Sequence, residues 1–393
     1  MRNNLSRIWM CAFGFILSIF ALCTPAQTPN DLQQIATEDG KQEMIPIKAV
    51  EFKAVETDPG FTLPAASVDY PHCLSDGSRV LHDIDWEAVM KTPKGKFPRY
   101  NEIVTVIRGK KTQKISSASI SDLTDFNNGF DIFPADSGIY FLVQGSKEQP
   151  GERGPGKSPM GIPLKDFRNY IARFDLDGSY KGATELGIAC DLSRAESCHL
   201  RHLAAFPSGD MLVSESDPET STLKVLYLKS SGEVVKQIEV PASRKIMNWG
   251  DPSSSPDVRR DASTFLSSVY FTAVGDRIVV WRANSNDPVV EVSQGGGARE
   301  VPIQIPEGWR FADLVASNDR WVVHFRTENT PPTVNMSADK DAYFEVRSQD
   351  GSLAARIMQD GDAPLSIACE SNGIYTSFKW SDAGNKMALL EGK

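Results

Sequence analysis

The sequence lacks the short motifs that most often mark an enzyme. It contains no Gly-x-Ser-x-Gly nucleophile elbow and no His-Glu-x-x-His zinc helix. Its Gly- and Pro-rich stretch 147–165 has neither Walker nor Rossmann spacing and is followed by no helical pattern. These absences argue against the standard signatures of phosphate binding, serine hydrolysis and zinc proteolysis, and they leave the class of function open.

Long apolar runs are also missing after residue 26, so we expect no membrane span in the mature chain. The one apolar run, Ile8–Leu22, follows Arg2 and Arg7 and is about 15 residues long, short of the roughly 20 that span a bilayer. We therefore predict a signal peptide over residues 1–26, cleaved near Ala26, and a secreted or periplasmic protein. An uncleaved anchor and a lipoprotein modified at Cys23 are the weaker alternatives.

Basic residues are outnumbered, with 42 Lys and Arg against 51 Asp and Glu, which gives a net charge of −9. Removal of the signal peptide takes two arginines and no acids, so the mature charge falls to about −11. An acidic chain has no general field that attracts phosphate backbones. Nucleic acid is therefore an unlikely class of partner, and we expect none.

Cysteine is scarce, and two of the six cysteines lie in the predicted signal peptide. The four that remain are Cys73, Cys190, Cys198 and Cys369. An even number in an exported chain favours two disulfides over a metal site, and their spacing is not that of a zinc knuckle. A bridge between Cys190 and Cys198 would close a short local loop. We predict no metal site, and the sequence leaves the cofactor unknown.

The stretch 200–240 has the pattern of one complete four-stranded blade of a β-propeller. Its four short runs are rich in β-branched and aliphatic residues, and sharp turns at 207–210 and 229–232 separate the first pair and the last pair. Those turns use Gly, Pro, Ser and Asp, whose backbones tolerate reversals. This stretch is the unit with which the rest of the chain can be compared.

Similar units begin near residues 67, 130, 268, 311 and 365, at a spacing of roughly 45 to 70 residues. Four strands per unit at that period favour a propeller over a solenoid. The last unit is one strand short, and we expect Ile47–Val55 to supply its outer strand. The predicted fold is all-β: residues 27–46 form a linker, and residues 47–393 form a six-bladed β-propeller with four-stranded blades, closed by an N-terminal strand.

The units resemble those of NHL-repeat-type and related six-bladed propellers. The residues that carry the resemblance are the small turn with its apolar run at 208–213 and the Asp-Gly hairpins at 177–178 and 350–351. The resemblance covers most of the mature chain as a pattern only. It implies a fold and no particular activity, because that architecture serves binding modules, lyases, lactonases and glycosidase-like enzymes alike.

Cys73 and Cys369 occupy the same place in the first and sixth units, just before the tight turn that ends the innermost strand. Those units are neighbours in a closed ring, so a Cys73–Cys369 disulfide would fasten the closure. It would stabilise the fold by up to about 5 kcal/mol, because it cross-links so long a loop. The alternative is a pair of buried thiols held beyond the roughly 7 Å limit for a disulfide.

The long connections all belong to one class. The turns from first to second and from third to fourth strand are tight, whereas the connections between second and third strands or between units are long. The long ones are 86–100, 145–169, 187–198, 241–264 and 326–342. One face of the disc is therefore built up, and loops on a rigid scaffold are where binding and chemistry usually reside.

Eight residues on that face are candidates for binding. The start of the third inner strand carries His199, Arg201 and His202, the channel entrance carries Asp131 and Asp313, and the longest crossing carries Trp249, Arg259 and Arg260. Arginine binds carboxylates bidentately and indole offers a stacking face, which would suit an anionic or sugar-like ligand. The plainer alternatives are a solvated loop and structural histidines; His199 and His202, three apart, would not share a strand face.

Two functional hypotheses follow from these features. The first is a protein that binds a protein, peptide or carbohydrate ligand on the long-loop face without catalysis. The second is a propeller hydrolase or lyase that uses His199, His202, Asp131 and Asp313 as acid, base or ligands, which requires these side chains to lie within mutual reach. A purely structural envelope protein is a third possibility.

Overall fold

The fold is taken from a computed structural model of the 393-residue chain. The residues that the structure describes are 52–54, 72–85, 87, 91, 101–188, 200–217, 222–240, 269–282, 288–301, 303–305, 307–316, 320–327, 342–348, 352–358, 367–371, 374–380 and 387–392. All of them belong to the larger of two compact units, Pro46–Lys393.

The described strands form six antiparallel sheets of four strands each. The chain begins with β1 (Phe52–Ala54). The first sheet contains β2 (His72–Cys73), β3 (Arg79–Ile84), β4 (Glu102–Arg108) and β5 (Lys111–Ser116). The second sheet contains β6 (Asp125–Ala135), β7 (Gly138–Ser146), β8 (Arg168–Phe174) and β9 (Tyr180–Glu185). The third sheet contains β10 (Leu200–Ala205), β11 (Met211–Asp217), β12 (Thr222–Leu228) and β13 (Val234–Ile238).

The second half of the chain repeats the arrangement. The fourth sheet contains β14 (Val269–Val274), β15 (Arg277–Arg282), β16 (Val289–Ser293) and β17 (Ala298–Val301). The fifth sheet contains β18 (Trp309–Ala316), β19 (Arg320–Thr327), β20 (Ala342–Ser348) and β21 (Leu353–Met358). The sixth sheet contains β22 (Ile367–Ser371), β23 (Ile374–Trp380) and β24 (Met387–Gly392), and β1 completes it. Short 3-10 helices lie at Ser117–Ser119 and Leu164–Asp166.

The hairpins form where the sequence combines turn residues with β-branched runs. Gly209 and Gly232 have φ angles of +86° and +87°, a conformation that favours glycine, and they end the two tight turns of the third sheet. Phe206 and Asp210 close the first of these turns with a backbone hydrogen bond of 2.8 Å. The strand pattern expected for this unit is therefore confirmed in type and order.

The hydrophobic core lies between neighbouring sheets. One apolar cluster joins the first sheet to the second, a larger one joins the second, third and fourth, a third joins the fourth to the fifth, and a small one joins the fifth to the sixth. Both faces of the second sheet thus pack against other sheets, which explains the nearly continuous apolar run Ile139–Val143 in β7, where every residue is at most 2% exposed. A β-propeller with four-stranded blades is confirmed.

The N-terminal strand pairs where the sequence predicts. Phe52, Lys53 and Ala54 lie opposite Gly392, Glu391 and Leu390 in antiparallel register, so β1 is the outer strand of the sixth sheet. The inner strand of that sheet, β22, contacts β2 of the first sheet.

One strand begins earlier than the sequence suggests. We expected the inner strand of the second unit to start at Phe130, whereas β6 starts at Asp125. The pairing with β7 is interrupted between Asn127 and Asp131 by a bulge, which breaks the alternating pattern from which a strand is recognised. Within the described ranges, no helix has the length and apolar character that a membrane crossing requires.

Candidate functional site

Several predicted site residues cannot be placed. His199, Trp249, Arg259 and Arg260 lie outside the described residues, and so do Cys190, Cys198, the signal peptide 1–26 and the linker up to residue 46. Arg201 lies on β10, but its side chain is not described. The predictions made for all of them stay predictions.

The structure brings together two of the predicted residues, Asp131 and His202. His202 Nδ1 lies 3.6 Å from Asp131 Oδ2, and the two side chains are 25% and 20% exposed. The same carboxylate oxygen accepts a hydrogen bond of 2.7 Å from the backbone N–H of Leu203. The hydrogen bond fastens Asp131 of the second sheet to the inner strand of the third, and its carboxylate lies on the Nδ1 side of the His202 ring.

His202 also contacts the fourth sheet, through an aromatic stack. Its ring lies 5.1 Å from the ring of Tyr270, and Tyr270 stacks on its cross-strand partner Trp281 at 4.7 Å with 24° between the ring planes. The Trp281 Nε1–H donates to Thr272 Oγ1 at 2.7 Å, and that hydroxyl donates to the Leu314 carbonyl at 3.3 Å. The stack is therefore fixed in orientation by groups beneath it, while Tyr270 remains 36% exposed.

We call Asp131, His202, Tyr270 and Trp281 the mouth cluster. His202 and Tyr270 are near the starts of their inner strands, where the long connections 187–199 and 241–268 lead in. His202 contacts residues of the sheets on both sides of its own, so the cluster spans three consecutive sheets.

Bulges in the inner strands aim these side chains. Pairing slips between Leu200 and Leu203 in β10 and between Asn127 and Asp131 in β6. The N–H of His202, freed from the regular ladder, donates to Ser214 Oγ at 3.0 Å. A bulge of this kind re-aims a side chain and is frequent near functional sites.

Asp313 occupies a similar bulge in another sheet. Pairing of β18 slips between Phe311 and Asp313, and Asp313 Oδ1 accepts a hydrogen bond of 2.7 Å from the backbone N–H of Leu314. β18 is separated from β10 by the inner strand β14, with which each of them is in contact. Asp313 thus lies two sheets away from His202 and is not part of the mouth cluster.

Polar side chains are buried along the second strands as these approach the long-loop end. Gln144, Ser214, Arg282 and His324 are all at most 5% exposed, although each follows a run of apolar residues on its strand. In the first sheet, His82 Nε2 lies 2.6 Å from Glu102 Oε2, and burial raises the pKa of the neighbouring Asp83 carboxyl despite the hydrogen bond from the Ile84 N–H. The interior of the propeller changes from apolar to polar toward this face.

The cluster offers hydrogen-bonding groups and ring surface rather than a metal cage. Among the described residues, no group of three or more His, Cys, Asp or Glu side chains is placed to share a metal ion. With Nδ1 facing Asp131, Nε2 is the other hydrogen-bonding atom of His202. The arrangement can bind a polar group, and an aspartate-oriented imidazole can also move a proton.

Sequence reasoning missed Tyr270 and Trp281. A signal was available: Tyr270 follows the longest connection at the start of an inner strand, the place that His202 holds in the preceding unit. The aromatic at that place would have stood out had the units been aligned strand by strand.

The chain is similar in fold to several solved structures. A mutant of Trypanosoma rangeli sialidase with trans-sialidase activity is 10% identical with a TM-score of 0.37, over 91% of this chain and 56% of that one. The β-propeller domain of the trilobed protease from Pyrococcus furiosus is 12% identical with a TM-score of 0.40, over 84% and 82%. Acylaminoacyl peptidase from Pyrococcus horikoshii is 12% identical with a TM-score of 0.39, over 80% and 43%.

These likenesses are too distant to bear on activity, and the chain spans little more than half of the sialidase and less than half of the peptidase. No protein-family model matches the sequence, and no curated protein is similar to it. The resemblance to NHL-type repeats therefore holds for the propeller fold only, and membership of an NHL-type family is not supported. Fold and site together define a β-propeller in which a polar and aromatic cluster spans three consecutive sheets.

Proposed function

We propose that the mature chain is an exported six-bladed β-propeller, secreted or periplasmic, that binds a protein, peptide or carbohydrate ligand at the mouth cluster without catalysis. The observation that carries the proposal is the position of His202. Its part-exposed ring meets Asp131 of one neighbouring sheet and Tyr270 of the other, so three consecutive sheets build one surface.

Six blades follow if the sixth sheet packs on the first as the others pack on one another. Arg79 Nε of the first sheet donates to Thr376 Oγ1 of the sixth at 3.2 Å, which supports a single closed ring. Closure matters for function because a central mouth exists only if the inner strands surround it.

Rigid support also favours binding over a purely structural role. The Trp281 indole and the Asp131 carboxylate are both held by hydrogen bonds to their surroundings, so little side-chain freedom remains to be lost when a ligand binds.

The test compares ligand affinity of the purified chain with that of His202→Asn and Tyr270→Leu, using short capped peptides and neutral oligosaccharides as probes in titration calorimetry. We expect each variant to lose at least about tenfold in affinity for whichever probe binds. Val235→Ala is the control, because Val235 lies on the outer strand β13 and is 48% exposed. Equal affinity in all four proteins would refute the proposal.

Catalysis by a hydrolase or lyase mechanism is the second candidate, and the 3.6 Å approach of Asp131 to His202 favours it. An imidazole oriented by a carboxylate is a general base when a substrate proton lies within reach of the other ring nitrogen. The catalytic proposal would replace the binding proposal if the chain slowly turned over a bound probe and His202→Asn abolished that turnover. Tyr270→Leu should then only weaken binding.

A further inference from the structure

Two buried amides lie side by side on the second sheet with unused hydrogen-bonding atoms. Gln144 of β7 and Asn169 of β8 are direct cross-strand partners, and each is 1% exposed. Among the described residues, Gln144 Nε2 and Asn169 Oδ1 are buried polar atoms without a hydrogen-bond partner. Native proteins rarely leave such atoms unpaired, because an unmet buried donor or acceptor costs free energy.

Both amides lie on the sheet face that holds the mouth cluster. Asp131 is paired with Leu142, two residues before Gln144, so Asp131 and Gln144 project from the same face. That face is turned toward β10, because Asp131 accepts the hydrogen bond from Leu203. The Asn169 Nδ2 donates to the Ile188 carbonyl at 3.4 Å, in the connection toward the third sheet.

The two unpaired atoms have opposite polarity. Gln144 Nε2 donates and Asn169 Oδ1 accepts, and cross-strand side chains begin about 5 Å apart. A hydroxyl satisfies both, since it accepts one hydrogen bond and donates another. A carboxylate only accepts and an ammonium only donates, so either would leave one amide unpaired.

We infer that Gln144 and Asn169 form a hydroxyl-binding subsite beside the mouth cluster, and that the ligand is a neutral carbohydrate. The inference rests on the proposed function and narrows it to one ligand class. Asp131 and His202 supply further partners for sugar hydroxyls. Both amide atoms are closed to solvent, so the subsite includes a rotation of these two side chains toward the third sheet when the ligand binds.

The test uses Gln144→Met and Asn169→Leu, which keep side-chain volume and remove the amides. The probes are maltotriose, cellotriose, chitotriose and a capped trialanine, measured by titration calorimetry with the urea midpoint followed in parallel. We expect at least one trisaccharide to bind the original chain and to bind each variant about tenfold more weakly. We also expect Gln144→Met to be as stable as the original chain or more so, because its unpaired buried donor has been removed, whereas Asn169→Leu also loses the hydrogen bond to the Ile188 carbonyl.

Gln113→Met is the matched control, because Gln113 lies on the exposed outer strand β5 and its amide donates to the Lys114 carbonyl. It should leave trisaccharide affinity unchanged. Three outcomes overturn the inference: equal trisaccharide affinity in both amide variants, binding of trialanine alone, or no binding by any trisaccharide. Binding of trialanine alone that is lost in His202→Asn would leave the proposed function standing, so the two failures can be told apart.

Discussion

At the scale of single residues, Tyr227 shows how one hydroxyl joins two sheets. It donates to Asp210 Oδ2 at 2.6 Å within the third sheet and accepts at 2.8 Å from the backbone N–H of Gly295 in the fourth. Burial alone would raise the pKa of Asp210, but hydrogen bonds from Tyr227, Lys229 and Ser230 together hold it below its usual value. The ionised form of Asp210 is therefore stabilised by the same Tyr227 hydroxyl that joins the third sheet to the fourth.

Tyr227→Phe should lower the free energy of unfolding by about 1–3 kcal/mol at neutral pH, because Gly295 N–H loses its acceptor and Asp210 loses a donor. Burial and the Asp210 hydrogen bond raise the pKa of Tyr227 to about 12, from 10.0. A raised pKa means that the folded state holds the proton longer, so stability should fall as the pH rises from 10 toward 12. Urea unfolding across that range measures both effects.

The variant should lack this part of the alkaline loss, since the titrating group is gone. Tyr140→Phe is the control: Tyr140 is also buried, and its hydroxyl lies 3.0 Å from Ser137 Oγ in the turn between β6 and β7. An unchanged alkaline slope in Tyr227→Phe would show that another group causes it.

Single residues also mark the limit of what the sequence could predict about the site. Asp131 and His202 were recognisable because a charged residue and a histidine near an inner strand are unusual where apolar residues are expected. The contact between them could not be predicted, because it depends on β-bulges that no local sequence pattern indicates. Gln144 and Asn169 look like ordinary strand-end residues, and only their burial and pairing distinguish them.

At the scale of elements, the strands were predictable where a tight turn separates two β-branched runs, as in β10 to β13. The inner strand β6 was harder, since its bulge disrupts the alternation. The pairing of β1 with β24 could be inferred only by counting strands, because its partner lies more than 300 residues away. The three-residue β1 nevertheless completes a sheet.

Removal of β1 should therefore loosen the sixth sheet in particular. A chain that begins at residue 56 should show a lower urea midpoint than one that begins at residue 47, and faster amide hydrogen exchange at Leu390–Gly392, where β24 loses its outer partner. Exchange in β11 and β12 of the third sheet serves as the internal control. Equal protection of β24 in both chains would show that β1 contributes nothing to the sheet.

At the scale of the whole molecule, the repetition of one unit made the fold predictable from the sequence. Four short runs and two tight turns recur along the chain, and apolar clusters join each sheet to the next from the first to the sixth, so the repeated unit predicts the propeller. The ligand cannot be predicted from this repetition, because loops and buried polar groups vary from unit to unit while the scaffold does not. The packing of the sheets determines where a site can lie, and a few side chains determine the chemistry of that site.

The predicted Cys73–Cys369 disulfide would fasten the first sheet to the sixth. Cys73 Sγ lies 4.0 Å from Thr376 Oγ1, and Thr376 is the cross-strand partner of Cys369. This proximity supports the predicted Cys73–Cys369 disulfide. Peptide mapping without reductant should recover that pair, and Cys73→Ser, Cys369→Ser and the double variant should each lower the free energy of unfolding by the same amount, about 2–5 kcal/mol.

Equal losses follow because all three variants remove the same bond, whose loop encloses most of the chain. The double variant Cys190→Ser with Cys198→Ser is the comparison: its predicted loop is short, so its entropic contribution is smaller. Additive losses in the first set, together with free thiols at both positions in the original chain, would mean that the ring is held by β1 and side-chain packing alone. In that case reductant should leave the urea midpoint of the original chain unchanged. If the disulfide is present, reductant should lower the midpoint of the original chain to that of the Cys73→Ser variant.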